Sequence, residues 1–254
     1  MPFIAGEAAA RAAVHAWTKR WRWFRKSLSD AVIEGIEGVY LPAYLYSAAV
    51  YSSYSARIGE NYTETETYTV TVDGKTQTRT RTVTKTEWRS LSGEHVGYVA
   101  DVLVTASRGL PNAELAEIEP FDMRLLRRYD AALVSGWTTE DATLDPAEGT
   151  ELARREAVTE VGARLGAFMP GDAHTDLTYQ STVDRETLDL VLVAVWVLAL
   201  RPDPAEPAKR VLVNGQTLEV WGEEKLSALK IAAFVAAILA VIAAVVLLAR
   251  GGRS

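Results

Sequence analysis

The chain contains no cysteine among its 254 residues. That excludes a disulfide framework, a thiolate metal site and a cysteine nucleophile. Histidine is scarce: His15, His95 and His174 stand far apart, without the spacing of a metal ligand set. Each reads as an ordinary side chain rather than a ligand or a base. Excess basic charge is also missing. The formal net charge is −6, and without Arg250 and Arg253 the remainder carries about −8, whereas a general nucleic-acid binder needs a basic surface. The first residues, Met1 to Glu7, show neither the basic nor the apolar region of a secretory signal. No Gly-x-Ser-x-Gly, His-Glu-x-x-His or dinucleotide fingerprint occurs. Gly74-Lys75-Thr76 looks like the end of a phosphate loop, but Thr69 stands where its leading Gly belongs. The expectation is a non-enzymatic chain with no catalytic residues, no metal and no cofactor.

What the chain does have is one long apolar run. Ile231 to Ala249 holds no charge, no polar side chain, no Gly and no Pro. As a helix at about 1.5 Å per residue it spans roughly 28 Å, close to the ~30 Å hydrocarbon core of a bilayer. A buried helix of a globular domain normally keeps a polar stripe, and this run has none. We expect a single transmembrane anchor over 229–250. Lys225 and Lys230 precede the run and Arg250 and Arg253 follow it, so flanking charge leaves the orientation open. Translation order supplies one, because a domain made before its only membrane signal stays cytoplasmic, at the inner membrane face. Ala232, Ala236, Ala240 and Ala244 recur every four residues. Small side chains let helices approach in lipid, which makes these four candidates for association with a partner helix or a second copy.

Residues 1–35 read as an amphipathic helical segment. Val14, Trp17, Trp21, Phe24 and Leu28 share one face at three- and four-residue spacing, and cations occupy the rest. Trp23 stands among Arg22, Arg25 and Lys26 on that basic side. Either the side is solvated, or it touches anionic headgroups, since Trp favours the interface and cations are drawn to acidic lipid.

Residues 36–222 are expected to form an α+β domain on an antiparallel sheet, β over 38–107, helical over 111–170 and β again over 173–222. The Tyr-rich stretch from Gly38 to Tyr54 reads as a strand entered through Pro42. Tyr62 to Val72 and Lys75 to Trp88 alternate around Asp73-Gly74, a strong two-residue hairpin signal. That turn sets Glu66 opposite Arg81 and Tyr68 opposite Arg79, with a ladder of threonines on the other face. Neither face of the distal half is apolar, so the hairpin should project, and Tyr68, Asp73, Gly74 and Arg79 are its candidate docking residues. A second turn is expected at Ser92-Gly93, before a strand returning through Val99 to Val104. Leu115 to Arg128 reads as one or two short helices and Pro146 to Phe168 as a longer one with a solvated acidic face. Leu190 to Leu200 is continuously apolar, which suits a strand buried on both faces; a second membrane segment is the alternative. Asn214-Gly215 signals a two-residue hairpin turn within 210–221.

Several of these segments also carry a resemblance. Pro2-Phe3, Gly38-Val-Tyr-Leu-Pro42, the Thr-rich hairpin with Trp88, Asp101 to Val104, Leu110-Pro111, Pro120-Phe-Asp122, Tyr129-Asp130, Gly136-Trp137 and Val211 to Thr217 resemble, in that order, a family of bacterial zinc-ribbon membrane proteins often mislabelled as primosomal or helicase-like. The likeness covers about residues 2–222. Family members carry Cys-x-x-Cys pairs ahead of the Pro-Phe segment, and this chain has none, so zinc is not carried over. The resemblance implies partnership with SPFH-domain or phage-shock-A-like proteins in envelope stress. The reading is therefore a tail-anchored scaffold or adaptor, and the alternative is a membrane-bound hydrolase or small-ligand-binding domain with a site on the sheet.

Overall fold

The computed structural model describes residues 1–20, 31–72, 75–202 and 204–222. In chain order the elements are α1 (Glu7–Arg20), β1 (Val32–Val72), β2 (Lys75–Thr105), α2 (Asn112–Glu117), a 3-10 turn at Met123–Leu125, α3 (Ala131–Val134), β3 (Thr138–Thr139), α4 (Pro146–Phe168), β4 (Ala173–Arg201), β5 (Lys209–Asn214) and β6 (Val220–Gly222). The sheet runs β2-β1-β4-β5-β6, with the short β3 on β1. β4, β5 and β6 pair antiparallel, and β3 joins β1 in parallel at Val39 and Tyr40. The two-residue connection between β1 and β2 admits only an antiparallel pair. β1 and β4 also run in opposite directions. Glu34, Ser47, Ser52 and Ser55 meet Arg201, Thr187, Ser181 and Thr178 in turn, numbers rising on one strand as they fall on the other. An antiparallel sheet with a few helices is thus the architecture.

The strands are longer than their sequence signals. No turn breaks β2 at Ser92-Gly93. Gly93 is instead a close-packing position, because a Cβ there would lie 2.9 Å from the Tyr54 hydroxyl. Pro42 does not open β1 but lies ten residues inside it. Its carbonyl accepts from Ala106 N–H just beyond the end of β2, and β3 meets β1 two residues away. A residue without an N–H is tolerated where one neighbour ends and another begins. Thr175 to Val183 and Leu190 to Leu200 are likewise one strand, β4, with left-handed residues at Asp176 and Arg185.

The chain divides into two compact units: residues 1–43, 105–144 and 190 onward, and residues 44–104 with 145–189. Each of β1, β2 and β4 gives residues to both. In the first unit the apolar end of β4 is buried at Val191, at Leu198 and Leu200, and on both faces from Val193 to Trp196. It pairs with β5 at Val195↔Asn214 through Leu200↔Lys209, so it is a strand and not a second transmembrane helix. Ala10 and Val14, one turn apart on α1, pack on Trp196, Leu198, Leu200, Val211 and Val213. Burial of each such aliphatic side chain is worth about 1.5–3 kcal/mol.

The second unit lays α4 on its strands. Asp145 caps the helix by accepting from Ala147 N–H at 2.8 Å, and Pro146 takes the first helical position, where its missing N–H costs nothing. The buried stripe of α4 is Gly149, Ala153, Ala157, Val161, Gly162 and Leu165. Small residues on the helix meet large ones on the strands: Gly149 faces the Tyr44 ring and Gly162 faces Tyr179.

Candidate functional site

The distal hairpin is polar on both faces, as its alternation requires. Every residue from Glu60 to Thr69 and from Gln77 to Arg89 is exposed or half-buried. Charges on the two strands interlock: Arg81 bonds Glu66 at 2.9 Å, Lys85 reaches Glu64 at 2.6 Å and Glu66 at 3.2 Å, and Arg89 bonds Glu60 at 2.5 Å. Arg81 and then Lys85 hold the Glu66 carboxyl below its ordinary range. The Tyr68 ring, 42 % exposed, receives the diagonal Arg81 guanidinium at 5.7 Å. Nearer the sheet, Trp88 lies across Gly59, where a Cβ would come within 3.1 Å of the indole, and Arg57 stacks on its ring at 5.7 Å. A glycine that exposes backbone on a sheet surface is thereby covered by a cross-strand aromatic.

Beneath α4 lies a polar network that the sequence did not disclose. Tyr46 is fully buried and donates its hydroxyl to Glu186 Oε1 at 2.5 Å. Arg154 of α4 grips the same carboxylate with Nε and Nη2, both at 2.6 Å, and donates Nη1 to Glu151 at 2.5 Å. Burial, then the bond to Glu186, pushes the Tyr46 phenol well up, while Arg154 holds Glu186 below its ordinary value. Every group is engaged, so the network seats a helix on a sheet and presents no free base. One signal was available: the inward alternation Tyr44, Tyr46, Ala48, Val50 buries a tyrosine whose hydroxyl must find a partner.

In the first unit, four aromatics from distant segments meet. Phe3 stacks on Trp137 at 4.2 Å between centroids and contacts Tyr40 at 5.3 Å and Trp196 at 4.8 Å. Trp196 Nε1 donates to Ala5 O at 2.9 Å. Gly38 has no Cβ where the Trp137 ring passes. Asn214-Gly215 is not the two-residue turn its sequence suggests, since Asn214 N–H pairs with Glu219 O across a longer loop. Asn214 is fully buried; its Nδ2 donates to Ile118 O and Pro120 O, and its Oδ1 accepts from Gln216 and Thr217. Gly215 O accepts from Ile4 and Ala5. Gln216 accepts from Asp122 N–H and donates to Pro2 O. The motifs that stood out in sequence are, in this unit, packing and hydrogen-bonding junctions.

No reactive dyad emerges from the remaining polar groups. Ser107 donates to Glu140 and accepts from Gly109 N–H, but it is only 1 % exposed. An open depression of about 490 Å³ is lined by Gly35, Glu37, Ala199, Lys209 and Arg210. Its charges are already occupied: Glu37 by Thr138, Lys209 by Glu206 at 3.7 Å, and Arg210 by Glu114 and Gly109 O. Among the described residues no group of acidic or histidine side chains could hold a metal ion, and no helix is long and apolar enough to cross a membrane. Of the sequence candidates, Tyr68 and Arg79 are exposed on the hairpin. Asp73 and Gly74, the set Arg22, Trp23, Arg25 and Lys26, and Ala232, Ala236, Ala240 and Ala244 with the whole 229–250 anchor lie outside the described residues. Comparison with protein-family models, curated proteins and solved structures gives no match.

Proposed function

We propose that the chain is a non-enzymatic membrane scaffold, anchored by 229–250 and presenting its β domain to a protein partner at the cytoplasmic face of the plasma membrane. The observation that carries this reading is the uninterrupted apolar run from Ile231 to Ala249, matched in length to a bilayer core. The domain offers a polar hairpin with exposed Tyr62 and Tyr68, a surface suited to protein contact rather than to chemistry. The charged groups lining the depression are each engaged by a neighbour, Glu37 by Thr138, Lys209 by Glu206 and Arg210 by Glu114 and the Gly109 carbonyl, which supports a binding role over a hydrolytic one. An SPFH-domain or phage-shock-A-like protein is the partner class the sequence resemblance implies.

Fractionation of cells making the full chain tests the anchor. The full chain should pellet with membranes and resist alkaline extraction, and a chain ending at Ala228 should be released. An amino-terminal reporter should face the cytoplasm. Release of the full chain by alkali, or an external amino-terminal reporter, would overturn the proposal.

A further inference from the structure

We infer that the outer edge of β2, from about Thr80 to Val96, pairs antiparallel with the same edge of a second copy of this chain, about a two-fold axis at Trp88. The inference rests on β2 alone and goes beyond the anchor reading. β2 is the terminal strand of the sheet, and among the described residues no strand bonds to its outer side. Unpaired N–H and C=O groups along such an edge form a template for another strand. Natural edges are blunted by proline, short length, bulges or charged side chains, and of these β2 carries the charges. β2 has 31 residues and no proline. Its left-handed residue, Asp101, lies near the far end, and Arg164 of α4 already takes the carbonyl of Tyr98 at 2.9 Å. The free length therefore stops near Val96.

Charge decides between occupants and registers. Arg81, Lys85 and Arg89 are each bonded to a glutamate of β1, which lessens the repulsion of a second such strand as a whole, but exposed like charges set directly opposite still disfavour a register. In a two-fold antiparallel pair, residues directly opposite share a face, so odd numbers meet odd. An axis at Thr82 sets Arg79 against Lys85, and one at Lys85 sets lysine against lysine. An axis at Trp88 sets Arg89 opposite Glu87 of the other copy, twice by symmetry, with Lys85 opposite Leu91 and Arg81 opposite His95. It also sets the backbone of Trp88, whose indole covers Gly59 of β1, opposite its own copy. An axis at Thr86 pairs Glu87 with Lys85 instead and leaves Trp88 opposite Thr84.

The absence of native cysteine makes the test direct. A spin label on Ser92→Cys, in the full chain in mild detergent, should give a label-backbone separation of about 27 Å across an axis at Trp88, from eight residues at ~3.4 Å each. Glu87→Arg or Arg89→Glu alone should weaken the dimer about tenfold, because two opposed pairs turn from attraction to repulsion. The double variant E87R/R89E should restore it. An axis at Thr86 gives about 40 Å by the same spacing and no restoration. A monomeric mass, the longer distance, a dimer indifferent to the single variants, or an edge that takes a peptide of another protein and not its own copy would each overturn the inference. Association through the anchors alone is caught by the same experiment, since it would survive both single variants.

Discussion

Three glycines of α4 should respond to alanine in three different ways. In an ordinary helix interior Gly→Ala stabilises by about 1 kcal/mol, through reduced backbone entropy in the unfolded chain and better propensity. At Gly166 the added Cβ meets nothing closer than His174 Nε2 at 3.8 Å, which is ordinary contact. Position 166 lies in the last turn, so Gly166→Ala should stabilise by about 0.5 kcal/mol. At Gly149 the Cβ would stand 2.6 Å from Tyr44 Cε2, and Tyr44 is only 4 % exposed. Neither the buried ring nor the capped first turn has room to yield, so overpacking of about 1–3 kcal/mol outweighs the propensity gain. Gly162 is the intermediate case. Its Cβ would meet the end of Tyr179, but that side chain is 38 % exposed and can swing aside. Thermal unfolding of the full chain in mild detergent, followed by circular dichroism, should rank the midpoints Gly166→Ala, wild type, Gly162→Ala, Gly149→Ala. Each kcal/mol corresponds to roughly 2–4 °C at this size. Adding Tyr44→Leu should remove most of the Gly149→Ala penalty, a coupling expected only between touching residues. If all three alanines stabilise alike, α4 is not seated on Tyr44 and the packing account fails.

The Glu186 network predicts an acid limb. A carboxyl whose folded pKa is depressed contributes stability above its ordinary value of 4.5 and loses it as pH falls through the folded value. Glu186→Gln should therefore lower the unfolding midpoint at pH 7, and the difference from wild type should shrink as the pH falls below 4.5; a constant offset across the acid range would refute the ionic role. Tyr46→Phe should cost about 1 kcal/mol at neutral pH, the net worth of one buried hydrogen bond. Asn214→Ala strips the partners from two carbonyls beside a fully buried site and should cost at least about 2 kcal/mol, read from the same melts. By contrast, Glu66→Gln removes an exposed pair on the hairpin and should leave the midpoint where it was.

Where a signal was local, the sequence carried it. Helix α4 runs between the limits its sequence suggests because Asp145, Pro146 and the apolar spacing all act within one segment. β1 ends at Val72 and β2 starts at Lys75, the spacing that alternation about Asp73-Gly74 required, and Glu66 meets Arg81 as that turn demands. Glycine misled where its role was steric. Gly93 makes room for Tyr54 and Gly215 for Phe3, and neither use differs from a turn when read along one strand. Asn214 reads in sequence as a turn residue, whereas its amide serves carbonyls 94 and 96 residues away. The Tyr46–Glu186 bond spans 140 residues and depends on the β1–β4 register, which no local pattern encodes. The polar hairpin was legible as a surface because a strand with no apolar face cannot be core; the unpaired side of β2 was not, since edge position belongs to the sheet and not to the strand.

The order in which the sheet is made has a consequence in time. β1 and β2 are neighbours in sequence and can zip as soon as both have left the ribosome, but the other side of β1 must wait for β4. Ser52 meets Ser181, 129 positions further along the chain, and β4 does not begin until Ala173. At a synthesis rate of roughly 5–20 residues per second, the 100 or so residues between Val72 and Ala173 take about 5–20 s. For that interval a 41-residue strand carries an open flank on a nascent chain, long enough for a holding chaperone to bind and for neighbouring ribosomes on one message to bring two such flanks together. Synthesis rate through the α2–α4 segment is therefore a variable of correct folding for this chain, and slowing it should raise the fraction that aggregates before β4 arrives.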